Sequence, residues 1–143
     1  MLKKIYFILP FLLTAFLVNS QVVINEYSAS NFDSHLDNYG EYEDWVELYN
    51  TTNSDIDLNG WSLTDKPSNL SKWSFPGSFI ISANSVAIIY CSGLNELVGG
   101  VAHTNFKITQ TKTGEVFVLS DASGNIIDSA RAIPAQKSHS RGR

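Results

Sequence analysis

The residues best equipped for chemistry lie close together, between positions 37 and 44. Asp37, Asn38, Tyr39, Gly40 and Glu41, followed by Glu43 and Asp44, put side-chain oxygens at near-alternate positions around a glycine. Calcium takes about six to eight oxygen ligands, and acidic loops supply them. Asp37, Asn38, Glu41, Glu43 and Asp44 are therefore the candidate ligands, and calcium is the only cofactor this stretch suggests. A full EF-hand loop, with its spaced bidentate Glu, is absent. The competing reading is a solvated loop whose Asp and Asn side chains cap the backbone of their own turns. Tyr39, Tyr42 and Tyr49 fall on or near the same stretch. Tyrosines exposed beside carboxylates suit a protein- or sugar-binding patch, because the ring offers contact area and the hydroxyl a polar handle.

Elsewhere the chemistry is thin. Glu26 and Glu47 sit in strand-like runs and could lie on neighbouring strands as an acid–base pair, but nothing else in the sequence builds a cleft around them. His35, His103 and His139 are far apart, without HxH or HExxH spacing, which disfavours zinc. No serine occupies a nucleophile elbow, and Gly99-Gly100 lacks the following helix that a phosphate loop needs. Cys91 is the only cysteine, so no intrachain disulfide exists, and it ends the apolar run Val86-Ala87-Ile88-Ile89-Tyr90 as a buried structural thiol would. Asn50-Thr51-Thr52 and Asn69-Leu70-Ser71 match the glycosylation sequon, which matters only in a host that glycosylates.

The elements that must position these residues read as short strands. Residues 43 to 65 are the organising stretch: strand over Trp45-Val46-Glu47-Leu48-Tyr49, polar turn over residues 50 to 55, then a second short strand over Trp61-Ser62-Leu63-Thr64, the two forming a central pair. Val22 to Tyr27 starts a strand, and residues 31 to 43 form a long loop to the next. Lys72 to Phe75, Phe79-Ile80-Ile81, Val86 to Cys91 (in the sandwich centre), Phe106 to Thr109, Glu115 to Ser120 and Ile126 to Ala130 complete the series, with Asp121 to Asn125 as a hairpin turn. Residues 92 to 103 read as a mobile glycine-containing loop, and the last residues show no strand or helix pattern. Trp45, Trp61, Trp73 and Phe75 are the expected aromatic core. Seven or more strands without a helical period argue an all-β sandwich or barrel.

Charge and the first residues set the compartment. Lys3-Lys4 precede an apolar run from Ile5 to Val18, too short for a membrane span of roughly 20 residues but of signal-peptide length. Cleavage is expected before Gln21, giving an exported chain, secreted or retained at the cell surface or periplasm, with no transmembrane segment after cleavage. All fourteen Asp and Glu fall within residues 21 to 128, against only four lysines, whereas residues 131 to 143 are purely basic. An acidic body disfavours nucleic-acid binding, which draws its affinity from cations against phosphates.

INEY at 24–27, DWVELYN at 44–50, DLNGWSLTD at 57–65 and KWSFP at 72–76, in this order, resemble the lamin tail domain, over about Val22 to Ala130. The resemblance implies an immunoglobulin-like β-sandwich of the type that secreted bacterial proteins carry beside enzymatic or surface modules. The expected organisation is a signal peptide over 1–20, the sandwich over 21–130 and a basic tail, or the start of a further segment, over 131–143. The expected function is a non-catalytic binding or adhesion module that engages a protein or glycan at the cell surface. The alternative is an N-terminal accessory domain of a larger secreted enzyme (a hydrolase, nuclease or phosphoesterase).

Overall fold

The computed structural model describes residues 21–109, 115–133 and 139–142. The expected signal peptide lies outside the described residues, as does part of the basic tail. Among the described residues twelve strands follow one another: β1 (Val22–Ser28), β2 (Trp45–Asn50), β3 (Ile56–Asp57), β4 (Ser62–Thr64), β5 (Trp73–Ser74), β6 (Ile80–Ile81), β7 (Val86–Tyr90), β8 (Glu96–Val98), β9 (Val101–His103), β10 (Val116–Ser120), β11 (Ile126–Arg131) and β12 (Arg141–Gly142). No helix occurs among the described residues. A six-stranded sheet, β12-β1-β2-β7-β9-β8, packs against a four-stranded sheet, β11-β10-β4-β5, with a small ribbon β3-β6 beside them. This all-β arrangement is consistent with an immunoglobulin-like sandwich.

Period-two alternation decides which side chains enter the core. Along β2, Val46 and Leu48 point inward and are buried, joined from the large sheet by Ile24, Tyr27 and Ile89. Leu63, Trp73, Phe75, Phe117 and Leu119 meet them, most of them from the small sheet. Tyr27 crosses the interface to Phe117 at 5.3 Å, and Trp73 sits 4.6 Å from Phe75. Cys91 lies fully buried in this core, and burial pushes its thiol pKa up, so it is inert packing material.

Several strand assignments need correction. β2 and β4 do not form a pair: β2 lies between β1 and β7, whereas β4 lies between β10 and β5 in the other sheet. Asn50 makes the crossing. Its amide Nδ2 donates to Ser54, Ile81 and Ser82 carbonyls and its Oδ1 accepts from Thr52 N–H, so the chain leaves the sheet there. That fully buried amide is correspondingly closed to glycosylation. Residues 92 to 103 hold a β-hairpin, β8 to β9, not a loop throughout. Gly99 and Gly100 take φ of +60° and +84°, the pair of positive values that a tight two-residue turn demands. Residues 106 to 109 form no strand, although Phe106 and Ile108 fill the core. The tail is not patternless: Arg141 and Gly142 pair with Tyr27 and Glu26.

Candidate functional site

The register lines up one row of residues across the outer face of the large sheet. Ser28, Trp45, Tyr90, His103 and Glu96 are successive Cα partners over β1, β2, β7, β9 and β8. Directly opposed residues share a face, so the adjacent row, Tyr27, Val46, Ile89, Ala102 and Leu97, is the one that enters the core. The outer row of an antiparallel sheet is ordinarily wet. Here Trp45 is 2%, Tyr90 8% and His103 0% exposed. The polar loop between β1 and β2 folds over them. Trp45 is therefore buried as expected, but beneath this loop and not between the sheets.

Each contact of that cover is specific. His35 sets its ring edge-on to Trp45 at 5.1 Å. The Tyr90 hydroxyl donates to the Leu36 carbonyl at 2.7 Å. The Asn38 amide oxygen lies 2.7 Å from His103 Nε2, and His103 Nδ1 lies 2.9 Å from Ser92 Oγ. With Asn38 Oδ1 accepting, Nε2 carries the hydrogen and Nδ1 accepts from the Ser92 hydroxyl, an assignment made from the network. The imidazole is also sandwiched, with Tyr90 stacked at 5.5 Å and Tyr39 tilted at 5.7 Å. Ser92, His103 and Asn38 thus have the polarity of a hydrolase triad. Ser92 is itself buried, its Oγ also accepts from Leu94 N–H, and the imidazole is sealed on every side, so the arrangement works as a pin for the loop.

The loop is braced internally as well. Buried Asn31 donates through Nδ2 to the His35 and Glu43 carbonyls, while its Oδ1 accepts from Ser34 N–H and hydroxyl. Asp37 Oδ1 accepts from Tyr39 N–H at 2.8 Å and Glu41 N–H at 2.9 Å, and Gly40, at φ +79°, closes the turn by donating to the Asp37 carbonyl. This is the side-chain capping that competes with metal ligation for the same oxygens. Asp44 Oδ1 accepts from Asn31 N–H, and burial holds its pKa above the usual carboxylate value. Glu43 pairs with Lys107 at 3.1 Å. The five candidate calcium ligands are thereby brought into one loop, but four of them, Asp37, Asn38, Glu43 and Asp44, point at separate protein partners. Among the described residues, no three of His, Cys, Asp or Glu are placed to hold a metal ion.

Of the candidate binding tyrosines, Tyr39 is 53% exposed and donates its hydroxyl to Glu96 at 2.6 Å. That bond holds its phenol pKa above the ordinary range. Tyr42 is also exposed on the loop. Tyr49 is not part of this group: it lies on β2 opposite Val23 and Val86, four residues from Trp45, or about 13 Å along the strand. Sequence reasoning missed Leu94 and Glu96. Together with Asp37, Tyr39, Glu41 and Glu43 they line a shallow depression of about 360 Å³, with one apolar wall and an acidic rim. The Gly-Gly turn flanked by Leu97-Val98 and Val101-Ala102 was the available signal for the hairpin that carries them. Glu26 and Glu47 do face each other across neighbouring strands, but Glu47 is engaged by Asn25 Nδ2 at 2.7 Å.

Among the described residues no helix is long and apolar enough to cross a membrane. Against curated proteins the chain has no match. The family model of the lamin tail domain matches residues 18–133, reaching from ahead of β1 to just past β11. The motifs at 24–27, 44–50, 57–65 and 72–76 all fall inside that span, on β1, β2, the β3–β4 turn and β5. The chain belongs to the lamin tail domain family, whose immunoglobulin-like domains typically mediate interactions.

Proposed function

We propose that this is an exported, non-catalytic interaction module that presents the pinned loop at 31–44 and the β8 edge to a protein partner at the cell surface. The observation that carries the reading is the combination of a rigidly held backbone with exposed contact groups. Leu36, Tyr39, Tyr42 and Leu94 stand about half exposed, whereas the residues behind them are locked by buried hydrogen bonds. Preorganisation of this kind lowers the ordering cost of association, and half-exposed aromatic and aliphatic groups ringed by polar ones are what interface centres use. Glu41 and Glu96 at the depression favour a partner that offers lysine or arginine beside apolar groups. Export rests on Lys3-Lys4 and the apolar run from Ile5 to Val18.

The test is site-specific photocrosslinking from position 39 or 94, applied to surface proteins of the source cells, with exposed Ile80 as the control position. A discrete adduct is expected from 39 and 94, competed by the unlabelled chain but not by a Tyr39→Ala/Glu96→Gln chain. Equal labelling from all three positions would remove the loop from the interface.

A further inference from the structure

The outer face of the four-stranded sheet carries a row of three serines. Ser120, Ser62 and Ser74 are successive Cα partners over β10, β4 and β5. Their chain neighbours Leu119, Leu63 and Trp73 enter the core, so period-two alternation turns the serines away from it. Further along the same face Thr64 is fully buried, its Oγ1 donating to the Lys66 carbonyl and accepting from Lys66 N–H. Over the serine row the face opens into a cavity of about 410 Å³. The β4–β5 connection contributes Leu70 to its lining, and the β10–β11 turn contributes Asp121 and Ala122. The Ser62 and Ser74 hydroxyls lie 2.8 Å apart and share one hydrogen bond. Ser120, also in the lining, is 1% exposed, and its Oγ has no hydrogen-bond partner among the described residues.

A buried hydroxyl without a protein partner is uncommon and costly, and it calls for a partner from outside the chain. The lining narrows what that partner is. Among the described residues no lysine, arginine or histidine lines the cavity, and Asp121 adds a negative charge, so an anion is disfavoured. Asp121 is itself a turn cap: Oδ1 accepts from Ser123 and Asn125 N–H, and Oδ2 from Asn125 Nδ2. A wholly apolar ligand would seal the serine hydroxyls without partners. What remains is a neutral ligand with several hydroxyls. Each serine hydroxyl both donates and accepts, as each sugar hydroxyl does, and Leu70 offers an apolar wall for ring C–H groups. The volume falls within the range of about 300–1,000 Å³ usual for small-molecule sites. We propose that this cavity binds a neutral sugar unit, held by Ser62, Ser74 and Ser120 against Leu70. The site lies on the other sheet from the acidic loop, and it stands independently of the protein-docking reading above.

The experiment is an amide NMR titration of the full chain with methyl β-glucoside, methyl α-mannoside and methyl β-galactoside. At least one is expected to saturate with a dissociation constant of order millimolar, the scale for a ligand of this size. The shifts are expected at Ser62, Ser74, Ser120 and Asp121, and not at Tyr39 or Glu41 on the acidic loop. Affinity is expected to fall at least fivefold in Ser120→Ala and in Ser74→Ala, with unchanged large-sheet amides as the check on folding. Glucose 6-phosphate is expected to bind at least fivefold more weakly than the neutral glycosides. The inference is overturned if no glycoside saturates at these amides, or if either serine variant binds as tightly as the parent chain. It is equally overturned if glucose 6-phosphate binds as tightly as the neutral glycosides. A peptide site replaces it if neutral acetyl-Gly-Ser-Gly-amide shifts the same amides at lower concentration than any glycoside.

Discussion

The two edges of the six-stranded sheet solve the same problem in opposite ways. At the β8–β9 end a whole loop is laid across the outer face and nailed down by buried side chains, His103, Tyr90, Asn31 and Asp37 among them. At the β1 end, among the described residues, exposed Arg141 and Gly142 of β12 pair with Tyr27 and Glu26, and the Asp128 side chain takes the Ile24 N–H. Buried polar groups are costly unless satisfied, so a network like that around His103 specifies one loop geometry and resists any other. A two-residue strand with exposed side chains specifies little. One edge is built to present side chains in fixed positions, and the other is met by backbone pairing at Glu26 and Tyr27.

The sharpest way to break the contrast is His103→Ala. It removes two hydrogen bonds and a ring held between two tyrosines, and it strands Asn38 and Ser92. Urea unfolding should show a loss of about 3–4 kcal/mol, in the range for truncation of a large, fully buried, hydrogen-bonded side chain. A loss under about 1 kcal/mol would mean that the pin carries no load.

Asp37 refines the same point inside the loop. Asp37→Ala should cost about 1 kcal/mol, the scale of a lost side-chain cap, whereas Asp37→Asn keeps an oxygen acceptor and should cost well under that. Because Asp37, Asn38, Glu43 and Asp44 already have protein partners, millimolar calcium should leave the thermal midpoint within about 1 °C of its value in EDTA. A ligand that binds only the folded state would raise it.

Acid separates buried from exposed carboxylates. Hydrogen bonds from the Ser78 hydroxyl to Asp57, and from the Asn125 side chain to Asp121, hold both pKa values below the ordinary 3.8. Their contribution to stability is therefore present above about pH 4 and lost as pH falls through the lowered values. Asp44 runs the other way: burial raises its pKa, so its contribution is present below 3.8 and lost as pH rises through the raised value. Between pH 6 and pH 2, Asp121→Ala should flatten the fall in thermal midpoint, and Asp44→Asn should steepen it. At the weak edge, Gly142→Pro should change global stability by less than about 0.5 kcal/mol, as surface substitutions do. A larger loss would show that β12 is a structural strand and erase the contrast.

What was legible in the sequence follows from the range of the signal. β2, β7, β10 and β11 run five or six residues, long enough to show alternation, apolar content or a turn signature such as Asp121 to Asn125. The four motifs in order were sufficient for the family. The two-residue strands β3 and β12 have no room for a period, and their pairing is set by distant chain. Residues 31 to 43 read correctly as a loop, yet what the loop covers depends on His103, 65 positions beyond Asn38. A lone histidine after an apolar pair carries no sequence mark of that role. The acidic residues were legible as a cluster, but backbone geometry turned Asp37 inward as a cap, where composition alone suggested a ligand.

The most direct test of the account is amide hydrogen exchange at Tyr39 and Glu41, the two N–H groups bonded to the Asp37 carboxylate, in the native chain and in His103→Leu. The account predicts protection in the native chain comparable to the β7 ladder, and its collapse toward free-coil rates in the variant while β10 and β11 stay protected. Coil-like exchange at both amides in the native chain would contradict it, because a loop that opens freely cannot serve as a fixed docking surface.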